Sequence, residues 1–285
     1  MLKKREYYQR IQAYYRQSNF LYKYGWYAGD SKGLHFGFAD TSTKNHTEAL
    51  INQYRYVIEK GKIKARMKVL DAGCGVGGAT VYIAKKTGAS VIGITLVSEQ
   101  AEEARAYSKK EGVEHTATFM VGDYLKTGLE SESFDVVFGI ESICYATPKS
   151  DFVKEAYRLL KPGGMLVITD GYCRRAVKNA AEKKILNDFC DGWRLDHLID
   201  QAEMTRVIKN GGFAHVKVED VTDKITMSLN KMRVLVGLWR VGEKLLGWID
   251  HPMIRMARDN AKSMDACIKG MSAGLFGYYS HVARK

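Results

Sequence analysis

The sequence predicts an α/β protein, a mostly parallel sheet with helices on both faces. Three observations carry this. Short β-branched runs alternate with amphipathic segments between residues 67 and 221. A glycine-rich turn, Gly73 to Gly78, follows the first run, and acids stand at or just past the ends of the runs, as Asp71, Asp123 and Glu141 do.

The elements follow in chain order. Residues 2–24 read as a helix, because Tyr7, Tyr8, Ile11, Tyr14 and Tyr15 fall at helical spacing in one aromatic stripe. Residues 25–40 (GWYAGDSKGLHFGFAD) are rich in glycine and aromatics and read as a loop. A helix is expected over about 46–60, stopped by Gly61. Residues 68–71, 90–94, 116–121 and 134–140 read as strands. Residues 79–86, 98–110 and 149–160 read as helices, with Ser98 as an N-cap. Pro162-Gly163-Gly164 predicts a turn into a strand over 165–169. A helix closes over 205–210 before Gly211-Gly212, and 213–221 alternates like a strand. Residues 227–256 are apolar on most faces and read as a helical insertion broken at Gly237, Gly242 and Gly247; 275–283 reads as the last strand. With three prolines and no low-complexity stretch, one domain is expected: a helical cap (1–66), a core (67–221), and a helical lid with the last strand (222–285).

The chemistry concentrates at Val69-Leu70-Asp71-Ala72-Gly73-Cys74-Gly75-Val76-Gly77-Gly78. Glycines let the backbone take positive φ and let a ligand approach closely. Dinucleotide sites use the same device, but the spacing here is D-x-G-x-G-x-G. An acid so near the loop repels a pyrophosphate and suits a cationic, phosphate-free ligand. S-adenosylmethionine, with its sulfonium, amino-acid tail and adenosine, fits. Three later positions agree. Thr95-Leu96 and then Gln100 follow the second strand, where a ribose is gripped. Gly122-Asp123-Tyr124 follows the third and offers an acceptor to an adenine amino group. The fourth strand ends in Ile140-Glu141.

Across 67–221 these features (LDAGCGVGG, the GD pair, the FD-strand and LLKPGG) resemble the class I S-adenosylmethionine-dependent methyltransferases. The resemblance implies a Rossmann-like sheet, mostly parallel with the last strand antiparallel, an N-terminal helical cap and a C-terminal helical insertion. It implies S-adenosylmethionine as cofactor, S-adenosylhomocysteine as product, and binding by Asp71, Gly73, Gly75, Gly77, Thr95, Leu96, Gln100, Gly122, Asp123, Tyr124 and Ile140. One departure stands out. Many members carry an acid after the second strand for the ribose hydroxyls, and Thr95 stands there instead. The resemblance then assigns that task to Gln100 or to a backbone group.

A finer resemblance lies in Tyr24-Gly25-Trp26, Leu34-His35-Phe36-Gly37-Phe38, His46 and the stretch Ile140 to Tyr145 (IESICY). These look like the sterol C-methyltransferases and their tocopherol-type and terpenoid or prenyl-diphosphate relatives. The chemistry supports this independently. Methylating an alkene carbon leaves a carbocation, which calls for π-faces, a base and walls that exclude water. Glu141 is the candidate base, or else it orients a loop or the cofactor. His35 is a second candidate catalytic group. The candidate substrate wall is Tyr22, Tyr24, Trp26, Phe36, His46, Tyr145, Trp193 and Trp239, with Tyr15 and Trp248 as further rings. Core packing explains the loop rings Trp26 and Phe36 least well. His115 and His215 fall in strand contexts.

No His/Asp/Glu cluster has metal-ligand spacing, though a diphosphate substrate would bring Mg²⁺ with it. Lys32, Arg174, Arg175 and Lys178 are either phosphate partners or solvated surface. Net charge is +12, and it resides at the ends: 13 basic against 5 acidic residues over 1–66, and 11 against 4 over 224–285. Such a field suits an anionic substrate, a membrane surface or plain solubility. Residues 234–249 form a lid over a greasy chain, or touch a membrane with Arg233, Arg240 and Lys244 at the head groups, or simply pack. No RNA-binding motif accompanies the basic pI, so no nucleic-acid partner is expected. Five scattered cysteines and no apolar leader or spanning stretch suit the cytoplasm. A homo-oligomer is compatible with all of this. The reading is carbon methylation of an isoprenoid-type molecule, with N- or O-methylation of an amine, phosphobase or quinol as the alternative. Cyclopropanation of a lipid alkene would begin with the same transfer.

Overall fold

The computed structural model describes residues 4–26 and 31–285. Residues 2 and 3 of the expected first helix, and 27–30 of the expected loop, lie outside the described residues. The chain begins with α1 (Lys4–Leu21), which runs into a π-helical turn at Tyr22–Trp26. α2 (His46–Lys60) follows, with the Asn45 side chain accepting from the Glu48 N–H and Glu48 reaching back to the Lys44 N–H. Then come β1 (Lys68–Ala72), α3 (Gly78–Thr87), β2 (Ser90–Thr95), α4 (Ser98–Lys110), β3 (Ala117–Val121), β4 (Phe134–Ile140), α5 (Lys149–Leu159) and β5 (Leu160–Cys173). The chain closes through α6 (Ala180–Gly192), α7 (Gln201–Asn210), β6 (Ala214–Asp220), α8 (Thr226–Leu246), α9 (Pro252–Ser272) and β7 (Phe276–Arg284).

The seven strands lie in the order β3-β2-β1-β4-β5-β7-β6. β1 to β5 are parallel, and β7 runs antiparallel to both β5 and β6, so the last strand alone is reversed. The order reverses between β1 and β4. In such sheets a crevice opens beyond the carboxyl ends of the two strands flanking that point.

Period-two alternation sends neighbouring side chains to opposite faces. Leu70, Ile94, Val137, Leu166 and Ile168 pack on Phe152, Val153, Met204 and Ile208 of α5 and α7. Val69, Val91, Val136, Phe138 and Val167 pack on Tyr54, Val57, Ile83 and Ala104 of α2, α3 and α4. A third cluster sits past the strand ends, where α6, α8 and α9 meet Trp26, Phe36, Phe38, Leu50, Phe276 and Tyr278.

Several expectations are corrected. Pro162-Gly163-Gly164 is no separate turn: it lies inside β5, where the β4–β5 register shifts and Gly163 and Gly164 bond to Lys285 at the end of the chain. Gly237 and Gly242 do not break α8, which ends at Gly247. A helix-interior glycine costs only about 1 kcal/mol, and tertiary contacts override it. α6 was not expected at all, and α9 was expected only to residue 256. Pro252 at the start of α9 and the His251 side chain, which accepts from the Met253 N–H, make a new helix start. Val97, not Ser98, is the N-cap of α4, and His115 lies in the turn before β3.

α6 crosses α9 where Gly192 meets Ser263. A Cβ at Gly192 would lie 1.3 Å from Ser263 Oγ, which already donates to the Asp259 carbonyl. Gly192→Ala is expected to cost about 1–3 kcal/mol by overpacking. Urea unfolding checks this: the midpoint should fall with an unchanged slope, and an unchanged midpoint would show that the crossing yields freely.

Candidate active site

The crevice holds two cavities that meet. The first, about 100 Å³, is lined by Asp71, Gly73, Gly75, Thr95, Leu96, Gln100, Tyr124 and Ile140 from the carboxyl ends of β1, β2, β3 and β4. The second, about 430 Å³, lies beneath α6, α8 and α9. Tyr15, Leu34, His35, Glu141 and Tyr145 line both.

At the first cavity the backbone needs its glycines. Gly73 and Gly75 sit at φ 100° and 51°, and a Cβ on Gly73 would lie 2.3 Å from Ser142 Cβ. The Gly73 and Cys74 N–H groups both donate to the Ile94 carbonyl, which fixes the turn. Asp71 is buried behind it, and Thr80 donates to its carboxylate at 2.7 Å. Burial pushes its carboxyl up to about 7 against that bond. Thr95 donates to Gln100 Oε1 at 2.8 Å, which leaves the amide nitrogen of Gln100 for a ligand. Among the described residues lining this cavity, Lys32 is the one Lys or Arg, and it pairs with Glu103 at 2.7 Å. A close-approach glycine loop backed by an acid suits a cationic, phosphate-free ligand such as S-adenosylmethionine.

Three candidate cofactor residues stand off the lining. Gly77 packs its backbone against Ala104 and Phe119. Gly122 lies in the turn after β3. Asp123 is engaged by α1: Tyr8 donates to Oδ2 at 2.7 Å, Lys4 reaches the same oxygen at 3.0 Å, and the Leu125 N–H holds Oδ1. α1 is also pinned across the cleft by Gln12 on the Leu96 carbonyl and Arg16 on Glu99.

Glu141 stands where the cavities join. It follows β4 at φ 47°. One oxygen, Oε1, accepts from the Phe36 N–H and the Tyr278 hydroxyl, each at 2.7 Å. Behind Tyr278, Gln53 donates to its hydroxyl at 2.8 Å and to Thr169 at 3.0 Å. Burial pushes Glu141 up to about 8, the two donors pull it down, and the nearby Asp170 charge raises it. His35 is buried, with Nδ1 2.5 Å from the Phe36 carbonyl and Nε2 without a partner; burial lowers it to about 4, so it is neutral at pH 7.

The large cavity is walled by rings. Tyr22, Trp26, Phe36, Tyr145, Trp193 and Trp239, all expected, line it, and Phe189 and Tyr278 join them. Tyrosines of α1 and its π turn brace one side. Tyr22 donates to Tyr14, Tyr14 to Asn260, and Tyr15 to Tyr145, which donates to the Trp193 carbonyl. Three expected rings lie elsewhere. Tyr24 is exposed against Phe20, Trp248 is 82% exposed, and His46 packs on Trp26 while bonding Ser228.

Sequence reasoning missed Asp170. It stands at the carboxyl-end half of β5, is buried, and lines the large cavity. The Cys144 and Gly171 N–H groups hold its two oxygens at 2.8 and 2.9 Å, while burial raises its carboxyl to about 6. The rule that singled out Asp71 and Glu141, an acid at a strand end, points to it in VITDG. The candidate phosphate partners do not line this cavity. Arg174 and Arg175 pair with Asp220 and Glu182, and Lys178 is exposed. No Lys or Arg is found among the described residues lining it, and among the described residues no three His, Cys, Asp or Glu side chains gather as a metal site.

Comparison with known proteins agrees with this arrangement. Residues 70–168 match the family model described as a methyltransferase domain. A sterol 24-C-methyltransferase of Aspergillus fumigatus is 32% identical over 225 residues, covering 77% of this chain and 57% of its own length. The chloroplastic tocopherol O-methyltransferase of Arabidopsis thaliana is 30% identical over 233 residues, 75% of this chain and 66% of its own. The chain thus spans little more than half the length of the sterol enzyme it matches. In fold it is similar to the geranyl diphosphate C-methyltransferase of Streptomyces coelicolor, solved with Mg²⁺, geranyl diphosphate and S-adenosylhomocysteine, at TM-score 0.71, 18% identity and coverage of 98% and 97%. The chain belongs to the class I methyltransferases that use S-adenosylmethionine, and in sequence it is similar to these sterol and tocopherol methyltransferases.

Proposed function

We propose that the protein methylates a carbon of a neutral, apolar isoprenoid-type alkene, with Glu141 as the base that ends the reaction. The observation carrying this reading is the large ring-walled cavity that meets the glycine-loop cleft at one buried carboxylate and has no Lys or Arg among its described lining residues. A diphosphate would place two or more negative charges beside Glu141 and Asp170 with no Lys or Arg among the described lining residues to offset them. Within the isoprenoids, the walls therefore favour a sterol-like or other uncharged polyene over a prenyl diphosphate.

When bound, S-adenosylmethionine supplies an electrophilic methyl group on a cationic sulfur. Asp71, the loop glycines, Thr95, Leu96 and Gln100 bind and orient it. The rings of Tyr22, Trp26, Phe36, Tyr145 and Trp193 exclude water and present π-faces to the developing carbocation, each contact contributing roughly 0.5–2 kcal/mol. The alkene π-pair would take up that methyl group as its C–S bond breaks and the bonding pair stays on sulfur, so the positive charge would pass to the substrate. Loss of a neighbouring proton to Glu141 returns a C–H pair to a new double bond. Glu141 Oε1 is tied to Phe36 and Tyr278, so Oε2 is the oxygen left to take the proton. The second reading is methylation of a hydroxyl on an isoprenoid-tailed phenol or quinol, an O-methylation of the kind that the name of the tocopherol relative states; the same cavity and the same base would serve it.

Incubation with methyl-labelled S-adenosylmethionine and a panel of sterols, prenyl diphosphates, quinols and amines tests the reading. Label on a carbon of a neutral isoprenoid is expected. Label on oxygen would move the assignment to the second reading, and label only on diphosphates or amines would sink both.

Glu141→Gln should bind the cofactor within about threefold of wild type by calorimetry and lose roughly 10²–10⁴ in turnover. Wild-type turnover in that variant removes Glu141 from the chemistry.

A base works when ionised, so kcat/KM should rise with pH through a limb set by Glu141, at or below about 8 once the sulfonium is bound. Tyr278→Phe deletes a donor to the carboxylate and should move that limb to higher pH. An unmoved limb would mean that another group titrates.

A further inference from the structure

α8 carries three longitudinal sectors, and one of them is unexplained by the fold or the site. Met232, Leu235, Trp239 and Leu246 turn into the large cavity. One sector round, Val234, Leu238, Val241 and Leu245 recur at spacings that align on one helix face, and Trp248 follows just past the end of the helix. All five are between 62% and 82% exposed. One further sector round, Arg233, Arg240 and Lys244 form a basic row. Phe20, Tyr24, Met253 and the partly cavity-lining Leu246 are also exposed large apolar residues. Exposed apolar surface on this scale marks a binding surface.

We propose that this face docks the protein on an anionic lipid bilayer. Two features of the surface select the occupant. The apolar stripe is continuous with the cavity, because Leu238 is both 64% exposed and part of its lining, so a lipid-dissolved molecule meets apolar surface all the way in. The stripe is also flanked by positive charge. Residues 226–258 hold six basic and two acidic residues, so a second copy docked face to face by a twofold axis would bring like charges together. An anionic head-group layer complements the row while the acyl region takes the stripe, as for an amphipathic helix lying in the interface. Among the described residues no helix is long and apolar enough to cross a membrane. The proposal stands apart from the methylation reading, since docking requires no turnover.

Flotation of the full chain with phosphatidylcholine vesicles, with and without phosphatidylserine, tests it. Wild type should float with the phosphatidylserine vesicles, and less so as salt rises. Arg233→Gln/Lys244→Gln should lower partitioning by about thirtyfold. Val241→Ser/Leu245→Ser/Trp248→Ser, all at exposed positions, should lower it by about two orders of magnitude with an unchanged circular dichroism spectrum. Failure of wild type to float, or equal flotation of the triple variant, overturns the proposal. So does a sedimentation result in which the same triple variant converts a dimer to a monomer, since a second copy would then cover the stripe.

Discussion

Glu141 is buried beside an apolar cavity, and the structure around it supplies donors that favour its charged form. A carboxylate removed from water is driven toward its neutral form. Two donors aimed at a single oxygen offset part of that drive, and they come from distant parts of the chain. The Phe36 N–H arrives from the loop before α2, and the Tyr278 hydroxyl from β7. Tyr278 is in turn held by Gln53 of α2, which also reaches Thr169 of β5. One carboxylate therefore ties the N-terminal loop, α2 and the reversed last strand to the parallel sheet. The resulting position sits between the cleft for the methyl donor and the ring-walled cavity, and it leaves the other oxygen for chemistry.

The parallel core was legible because its signals are local. A β-branched run, a D-x-G-x-G-x-G turn and a helix follow one another within twenty residues, and each strand-end acid stands beside its strand. What was not legible is long-range. Asp123 has the right place in the chain to meet an adenine, yet Tyr8 and Lys4, more than a hundred positions away, occupy it. Nothing in the residues near Asp123 signals that contact. Likewise Tyr24 and Trp26 lie two residues apart in one motif, but the π turn buries Trp26 and leaves Tyr24 in solvent. The glycines of α8 misled for a different reason. Propensity alone treats them as breaks, whereas Gly242 lines the cavity, where a side chain would take up room. Asp170 was readable and was passed over, since the strand-end rule applies to it as it does to Asp71.

The helices around the cavity divide two tasks. α1 crosses the cofactor cleft, where it buries Tyr7, Ile11 and Tyr14 and bonds to Leu96, Glu99 and Asp123. α6, α8 and α9 enclose the cavity mainly through apolar packing, as at the Gly192–Ser263 crossing. Polar fastenings at a partly solvated surface are individually worth little, about 0–1 kcal/mol for an exposed ion pair. A buried apolar side chain is worth roughly 1.5–3 kcal/mol. On both sides of the enclosure the buried side chains therefore contribute more than the surface bonds do.

Charge accounting across the proposed reaction gives the two carboxylates distinct parts. The methyl donor brings one positive charge to the join of the cavities, and transfer moves that charge onto the substrate without changing its sign. A site that holds one cation before transfer and one after it needs a fixed negative environment throughout. Asp170 has both oxygens on backbone N–H groups, which favour its ionised form against burial that raises its carboxyl to about 6. Glu141, near 8 and with one oxygen uncommitted, is poised to lose and regain a proton. Environments that push two neighbouring carboxyls apart in this way separate a standing charge from a working base. The same pair makes the cavity unfavourable to anions, which ties the identity of the substrate to the electrostatics of the proposed proton transfer.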